Sequence, residues 1–143
     1  MSRPLYETRG HLQEEKAVIE FISMCWQCEH HKMPISYKLD YMLTRDKEAK
    51  AFVEVKCRKM RWGQYPTIFL SLSKVTAAQE LRRTTGLTCY FAVYADPDVY
   101  WIDLEDLIGR SDLIPFGGRT RQTRDSADIE PVFNIPIEMF RRL

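Results

Sequence analysis

The chain has 143 residues, of which 45% are hydrophobic and 29% are charged, and its formal net charge is +1. This length suits one domain with a core of its own, and the composition is ordinary for a globular protein. No apolar run is long enough to span a membrane and residues 1–10 lack an apolar signal core, so we expect a cytoplasmic protein. The small net charge excludes any argument from bulk electrostatics for a polyanionic partner.

The first part of the chain predicts a helix followed by a β-hairpin. Apolar residues recur at helical spacing over residues 11–28, and these are Val18, Ile19, Ile22 and Trp26. Residues 39–44 and 51–57 are predicted as two strands, the second of which alternates strictly from Phe52 onward. The polar residues 45–48 between them are predicted as the turn of the hairpin.

The middle of the chain predicts a loop and a second helix. Residues 58–66 are basic and aromatic and are predicted as a loop, whereas 68–72 is a short apolar run whose type the pattern leaves open. Ser73 as an N-cap and Gly86 as a terminator predict a helix over residues 74–85.

The last part predicts two strands, over residues 88–94 and 99–104. Residues 109–131 are rich in Gly, Arg, Asp and Ser and are predicted as a mobile loop, and Pro136 is predicted to begin a short final helix that ends at Leu143. The whole order predicts an α/β fold with a mixed central sheet flanked by helices. A strand-helix-strand crossing within it favours a parallel pair.

Two charged side chains on the second predicted strand indicate chemistry. Glu54 and Lys56 are two residues apart and so project from the same face of the strand, with Val55 on the other face. The strand is central in the predicted order, and a carboxylate there is costly unless it is paired or bound to a metal.

A second carboxylate is predicted beside the first. Pairing residues 40–44 against 50–54 places Asp40 roughly opposite Glu54. Two facing carboxylates repel each other unless a cation lies between them, and Mg²⁺ prefers a few carboxylate oxygens completed by water and a substrate phosphate. Such a metal polarises a phosphate, and Lys56 would orient the attacking water or stabilise developing charge.

These residues resemble the signature of the PD-(D/E)XK nuclease superfamily, which is an acidic residue, a variable gap, then Glu or Asp, any residue, and Lys. Here they are Asp40 and Glu54-Val55-Lys56, on a hairpin with a helix before it and a helix and strand after it. The resemblance covers about residues 11–104. It implies a restriction-endonuclease-like core in a single nuclease domain over residues 1–143, acting as a DNA endonuclease with Mg²⁺, or Mn²⁺ as a substitute.

Within the superfamily the chain looks closest to the branch of Holliday junction resolvases and phage endonucleases. Members often carry an extra Glu on the first helix, and Glu15 matches that pattern, with Glu14 and Glu20 as rivals. The metal ligands that the resemblance implies are Asp40, Glu54, Val55 and Glu15, and the catalytic residues are Asp40, Glu54, Lys56 and Glu15. A full resemblance also implies selectivity for branched DNA and a homodimer with two sites that cut opposing strands.

The chain departs from the family pattern at two places. Leu39 stands where the family has a proline ahead of the acidic residue. The family also has a strand before the one that bears the aspartate. In this sequence only residues 35–37 are available to form that strand.

Basic residues near the motif are candidates for DNA contacts. They are Arg58, Lys59, Arg61 and Lys74. Trp62 and Tyr65 lie in the same basic loop and could stack on unpaired bases, or they could simply attach the loop to the core. Arg119, Arg121 and Arg124 are candidates for a flexible DNA-clamping arm, or for a plain loop.

Other interpretations remain open. Cys25 and Cys28 with His30 and His31 have spacing that suits zinc, but no second ligand pair follows, which favours thiols over a zinc site and over a disulfide framework. The protein could also bind or assemble on nucleic acid without catalysis while retaining the nuclease fold. Thirdly, Glu54 and Lys56 could be a surface pair in an unrelated α/β binding domain.

Overall fold

The structure, a computed structural model, describes residues 15–115 and 131–143. Its helices and strands, in chain order, are α1 (Glu15–Trp26), β1 (Glu29–Lys32), β2 (Tyr41–Arg45), β3 (Glu48–Arg61), β4 (Thr67–Ser71), α2 (Leu72–Thr85), β5 (Thr88–Asp96), β6 (Asp98–Asp103), β7 (Val132–Pro136) and β8 (Arg141–Arg142). Short 3-10 helices lie at Ile35–Tyr37, Leu104–Leu107, Ser111–Leu113 and Ile137–Met139. The strands form a six-stranded sheet in the order β1-β2-β3-β5-β6-β8 and a two-stranded sheet of β4 and β7.

The predicted α/β class and mixed central sheet are confirmed. β3 and β5 are parallel, as the strand-helix-strand crossing predicts, and the other neighbouring pairs of the large sheet are antiparallel. Apolar side chains cover both faces of β3. Val53 and Val55 pack toward α1, and Phe52 packs toward α2 and the small sheet. The sheet is therefore a central layer with one helix on each side.

The hairpin of β2 and β3 forms with a tighter turn than the sequence predicts. Only Asp46 and Lys47 separate the strands, and both have positive φ, which is the conformation of a two-residue hairpin turn that matches strand twist. A bulge between Leu43 and Thr44 shifts the pairing, so Thr44 faces Ala49. Beyond the bulge Tyr41 faces Val53, which keeps the predicted register near the motif.

Several predicted boundaries are wrong in the first half of the chain. Residues 11–14 of the first helix lie outside the described residues, and α1 ends at Trp26 rather than at 28. The strand before the aspartate is β1, whereas residues 35–37 form a 3-10 helix. β1 has the sequence Glu-His-His-Lys and lies at the sheet edge, so it lacks the apolar alternation by which strands are predicted.

The predicted loop at 58–66 is also wrong in part, because β3 continues to Arg61. Its last residues pair with β5, and Arg61 forms an ion pair of 2.9 Å with Asp96. The apolar run at 68–72 is mostly β4. α2 begins at Leu72 with Ser71 as N-cap, two residues earlier than predicted, and it ends as predicted at Gly86, which has a φ of 77°.

The final segment differs most from its prediction. Pro136 ends β7 instead of beginning a helix, and β7 pairs with β4 through their main chains. Only one 3-10 turn and the two-residue strand β8 follow it. Residues 116–130 of the predicted mobile loop, with the candidate arm of Arg119, Arg121 and Arg124, lie outside the described residues. No helix among residues 15–115 and 131–143 is long and apolar enough to cross a membrane.

Trp62 attaches the end of β3 to the core. Its ring stacks on Tyr100 with centroids 3.7 Å apart and meets Phe140 edge-on at 5.4 Å. Tyr65, three residues later, is 53% exposed. The two aromatic residues therefore differ in their surroundings, and only Tyr65 presents a ring largely to solvent.

We expect Trp62→Ala to lower the free energy of unfolding by about 2–3 kcal/mol, because it removes a stacked ring from the core edge. Tyr65→Ala is the matched control, and its effect should stay within about 0.5 kcal/mol because the ring is exposed. Urea unfolding of the two variants measures the difference. Equal destabilisation by both substitutions would contradict a packing role specific to Trp62.

Candidate active site

Asp40 lies one residue before β2, at the point where β3 runs on past its partner strand. Tyr41 and Val53 are the last pair of the ladder, so the main chain of β3 beyond them faces the Asp40 side chain. The Val55 N–H donates a hydrogen bond of 2.8 Å to Asp40 Oδ2. This bond fixes one carboxylate oxygen in the plane of the sheet and beside the motif strand.

Glu54 is buried although it carries a carboxylate, with only 1% of the residue exposed. Lys74 Nζ lies 3.2 Å from its Oε1, and Lys56 Nζ lies 3.5 Å from its Oε2. Among the described residues neither oxygen has a partner with hydrogen-bond geometry. The side chain is thus flanked by two ammonium groups, one at each oxygen, but neither contact has the geometry of a good hydrogen bond.

Burial and the neighbouring charges act on Glu54 in opposite directions. Burial raises the pKa of its carboxyl group and the charge of Asp40 raises it further, whereas Lys74 and Lys56 lower it. The net effect is a raised pKa. The two lysines therefore do not fully compensate the cost of keeping this carboxylate charged.

Lys74 reaches Glu54 from the first turn of α2. The same ammonium group donates a hydrogen bond to the carbonyl of Lys38, two residues before Asp40. Lys74 thereby links α2, the motif strand and the segment that leads into Asp40. The sequence predicts Lys74 as a phosphate contact but gives no sign of its ion pair with Glu54, because that pair depends on how α2 packs across β3.

Glu15 lies on the α1 side of the sheet, at the first residue of that helix. Lys32 Nζ donates a hydrogen bond of 2.6 Å to Glu15 Oε2 and lies 3.7 Å from Asp40 Oδ1. Burial alone would raise the pKa of Glu15, but hydrogen bonds with Lys32 and Tyr41 and the charges of Lys32 and Lys56 outweigh it, so the pKa is lowered. Lys32 thus links Glu15 to Asp40, a role that sequence reasoning missed because β1 was not predicted.

The donor atoms present fit a divalent metal bound by few protein ligands. Asp40 and Glu54 supply carboxylate oxygens, and Val55 supplies its main-chain carbonyl, which points to the same edge of β3 as the N–H that Asp40 accepts. Within residues 15–115 and 131–143 no three His, Cys, Asp or Glu side chains are grouped to hold a metal. Mg²⁺ needs no such group, because it usually keeps several waters and takes one or two carboxylates plus substrate phosphate.

The predicted DNA-contacting residues divide into two sets. Arg58 and Lys74, with Lys56, line a cleft of about 490 Å³ that opens beside Glu54. Lys59 is exposed on β3 outside the lining of this cleft, and Arg61 is paired with Asp96. The structure therefore brings two of the four predicted residues together with the motif.

The zinc hypothesis finds no support in the described part of the chain. The His30 ring is hydrogen-bonded to Ser23 at 2.9 Å and the His31 ring to Thr44 at 2.9 Å, while Cys25 is exposed. All four cysteines are thiols, as predicted.

Comparison with protein families identifies the chain. The sequence model of the family described as "Phage putative PDDEXK endonuclease" matches residues 1–143, the whole chain. The chain belongs to this family. The PD-(D/E)XK resemblance of the sequence is thereby confirmed, and the protein is a nuclease by family. A comparison with proteins of curated function finds no match.

Solved structures of nucleases share the fold of this phage endonuclease family member. It is similar to Hjc of Archaeoglobus fulgidus, a Holliday junction resolvase, with a TM-score of 0.57 and 14% identity over 91% of this chain and 92% of that one. It is also similar to D212, a nuclease from a fusellovirus, with a TM-score of 0.54 and 16% identity over 94% and 85% of the two chains. The restriction-endonuclease-like fold predicted for the endonuclease is thus confirmed.

The raised pKa of Glu54 predicts that the protein becomes more stable when the charge of this carboxylate is removed. A carboxyl group whose pKa is raised by folding destabilises the fold when ionised, so the penalty is complete above the folded pKa and absent below the unfolded pKa. In the presence of a chelator, we expect Glu54→Gln to have a higher free energy of unfolding than the wild type at neutral pH. This advantage should vanish as the pH falls below the ordinary pKa of 4.5.

Urea unfolding at a series of pH values, from neutral to below 4.5, measures this difference between Glu54→Gln and the wild type. Glu138→Gln, at an exposed position, controls for the general effect of removing a carboxylate. A Glu54→Gln variant that is less stable than the wild type at neutral pH would show that Lys56 and Lys74 stabilise the charge more than burial costs.

Proposed function

We propose that the protein is a metal-dependent DNA endonuclease whose active site consists of Asp40, Glu54 and Lys56. The observation that carries the proposal is the burial of Glu54, whose carboxylate faces two ammonium groups at 3.2 and 3.5 Å but has no hydrogen bond of good geometry among the described residues. A buried charge of this kind is costly, and a bound cation would offset the cost. The preferred cation is Mg²⁺, with Mn²⁺ as a substitute, because the available donors are oxygens.

In the hydrolysis, water adds to phosphorus and one P–O ester bond breaks. Different groups of the protein assist different parts of this reaction. Asp40 and Glu54, with the Val55 carbonyl, would hold the metal, which supplies Lewis-acid polarisation of the phosphate and a more acidic water. The Val55 N–H donates a hydrogen bond to Asp40 Oδ2 and so fixes the position of this oxygen beside the strand. That fixed position lowers the reorganisation needed when substrate binds.

Lys56 is the group that faces the reacting phosphate. Its side chain is 40% exposed while Glu54, which its ammonium group contacts at 3.5 Å, is buried, so the side chain extends from the site toward solvent. In that position it can orient the attacking water and stabilise negative charge on the phosphoryl oxygens. Lys74, which is less exposed and contacts the other oxygen of Glu54, is a positioning residue for that carboxylate.

We further propose that branched DNA is the preferred substrate and that the protein acts as a homodimer. The support is the sequence resemblance to the resolvase branch together with the shared fold of the Archaeoglobus fulgidus Holliday junction resolvase. Two sites related by a twofold axis would face opposing strands of a junction. Cleavage of a four-way junction and of a linear duplex of the same sequences, compared at equal protein concentration, tests the preference.

Removing either metal ligand or the lysine should abolish cleavage without unfolding the protein. We expect Asp40→Asn and Lys56→Ala each to lower kcat by about 100-fold or more, as loss of one group that stabilises the transition state usually does. Addition of EDTA to the wild type should have the same effect, and Mg²⁺ or Mn²⁺ should restore cleavage. A gel assay with labelled branched and linear DNA measures the rates.

Lys50→Ala is the matched control for Lys56→Ala. Lys50 lies on the same strand, is exposed, and pairs with Glu48 at the far end of the hairpin, so its loss should leave kcat unchanged. Undiminished cleavage by Asp40→Asn and Lys56→Ala would refute the site. Absence of both cleavage and Mn²⁺ binding in the wild type would instead favour a protein that binds nucleic acid without catalysis.

We propose that Glu15 supports the metal site from the α1 side, through Lys32. Glu15→Gln should weaken Mn²⁺ binding by about tenfold, the lower end of what loss of a supporting group near a metal costs. Isothermal titration calorimetry measures the affinity. Glu20→Gln is the control because Glu20 is exposed on the same helix, and equal affinities for Glu15→Gln and the wild type would remove Glu15 from the site.

A further inference from the structure

The cleft beside Glu54 has an aromatic wall as well as a basic one. Lys56, Arg58 and Lys74 contribute its charges, and Phe69 and Ser71 of β4 form the facing side. Phe69 is 49% exposed, so about half of its surface is open to solvent. Arg58 connects the two sides, because its Nη2 donates a hydrogen bond of 3.2 Å to the main-chain carbonyl of Phe69.

The strand pattern of β4 holds the Phe69 ring outward. Ile68 and Leu70 on either side of it are buried, so the side chains of this strand alternate and Phe69 must project from the opposite face. Thr67 and Ser71, which share that outward face, carry hydroxyl groups. Pairing of β4 with β7 from Thr67 to Ser71 fixes this arrangement, since a slip of one residue would expose Ile68 and Leu70.

Exposure alone would not distinguish Phe69, because single exposed apolar residues are normal. Tyr65, at 53% exposure, is as open, but it does not line the cleft. What distinguishes Phe69 is its place in a concave site with three cationic side chains. The nearest anion, Glu54, is buried and paired with two of them, so the surplus charge of the cleft is positive.

A nucleotide has the chemistry that matches this cleft, with a phosphate for the cations and a base for the ring. The volume of about 490 Å³ lies in the range of roughly 300–1,000 Å³ over which proteins bind small ligands. A base inside a continuous duplex presents only its edges, whereas stacking on an aromatic side chain requires an unpaired or extruded base. The cleft therefore favours a nucleotide that is not base-paired.

We infer that this cleft binds one unpaired nucleotide next to the phosphate that is cut, with its base stacked on Phe69 and its phosphate held by Arg58 and Lys74. This inference rests on the proposed nuclease function and makes it more specific. The substrate class is DNA with an unpaired nucleotide at the cleavage site, such as a flap, a bubble or the centre of a branched junction. Fully paired duplex is the poor substrate.

The test compares three DNA probes of one sequence by fluorescence anisotropy, with Ca²⁺ in place of Mg²⁺ to prevent cleavage. The probes are a flap, the fully paired duplex, and the flap with an abasic residue at the first unpaired position. Phe69→Ala should weaken flap binding by about 5- to 20-fold, the lower range expected for loss of one stacked base. Its affinity for the paired duplex should change by less than twofold.

The abasic probe separates stacking from other effects of the substitution. Wild-type protein should lose about as much affinity for the abasic flap as Phe69→Ala loses for the intact flap, and the two losses should not add. Phe69→Trp should retain binding because it keeps an aromatic face. Tyr37→Ala is the control, because it removes a ring of similar exposure (48%) outside the cleft and should bind all three probes like the wild type.

The outcomes separate this inference from the proposed function. If the wild type cleaves DNA with Mg²⁺ and Asp40→Asn does not, but Phe69→Ala binds all probes normally, the inference is wrong and the nuclease function stands. If the selective loss of flap binding occurs but the wild type never cleaves, the nucleotide site stands and the nuclease function fails. A Phe69→Ala variant that instead changes the oligomeric state in analytical ultracentrifugation would show that this surface contacts a second copy.

Discussion

The candidate site depends on a single constraint, which is that Glu54 is a buried carboxylate whose oxygens face two ammonium groups without a hydrogen bond of good geometry among the described residues. A charge in such a place costs free energy, and two lysines reduce that cost without removing it, as the raised pKa of Glu54 indicates. The surrounding fold must therefore be stable enough to tolerate the cost. Apolar layers on both faces of β3, which pack against α1 and α2, provide that stability.

The register of one hairpin determines whether the two carboxylates meet. A slip of one residue between β2 and β3 would turn Glu54 to the α1 side and move Asp40 away from the Val55 N–H. The two-residue turn at Asp46 and Lys47 alone would set a different pairing along the hairpin, and the bulge between Leu43 and Thr44 corrects for it before the motif is reached. Turn and bulge together, rather than the motif itself, position the site.

Sequence reasoning was sufficient where local pattern decides the structure. Alternation in β3, the helical spacing of Val18, Ile19 and Ile22, and the left-handed Gly86 are local signals, and each predicted its element. The offset between Asp40 and Glu54 was predicted from a longer turn at residues 45–48, whereas the structure reaches the same register through a two-residue turn and a bulge. Both the α/β class and the nuclease family were therefore predictable from the chain alone.

What sequence reasoning missed depends on contacts between distant segments. β1 is polar because it is an edge strand, and β7 is recognisable only through its pairing with β4, more than 60 residues earlier in the chain. For the same reason the contact of Lys32 with Asp40 and that of Lys74 with Glu54 were not foreseen, since each joins a motif residue to a separate element of the fold. The residues that tune the site were therefore harder to predict than the residues that define it.

The two faces of the sheet make unequal contributions to the proposed chemistry, and this asymmetry has a physical basis. On the α1 side, Lys32 pairs with Glu15 and approaches Asp40, so the charges on that side compensate one another. On the α2 side, Lys56, Arg58 and Lys74 have only Glu54 among them as a close anionic partner in the described residues, and the cleft that they line is open. An approaching polyanion is attracted to the side with uncompensated positive charge. DNA is therefore expected to reach the motif from the α2 side, where it meets Lys56 before Glu54, while α1 and β1 support the site from behind.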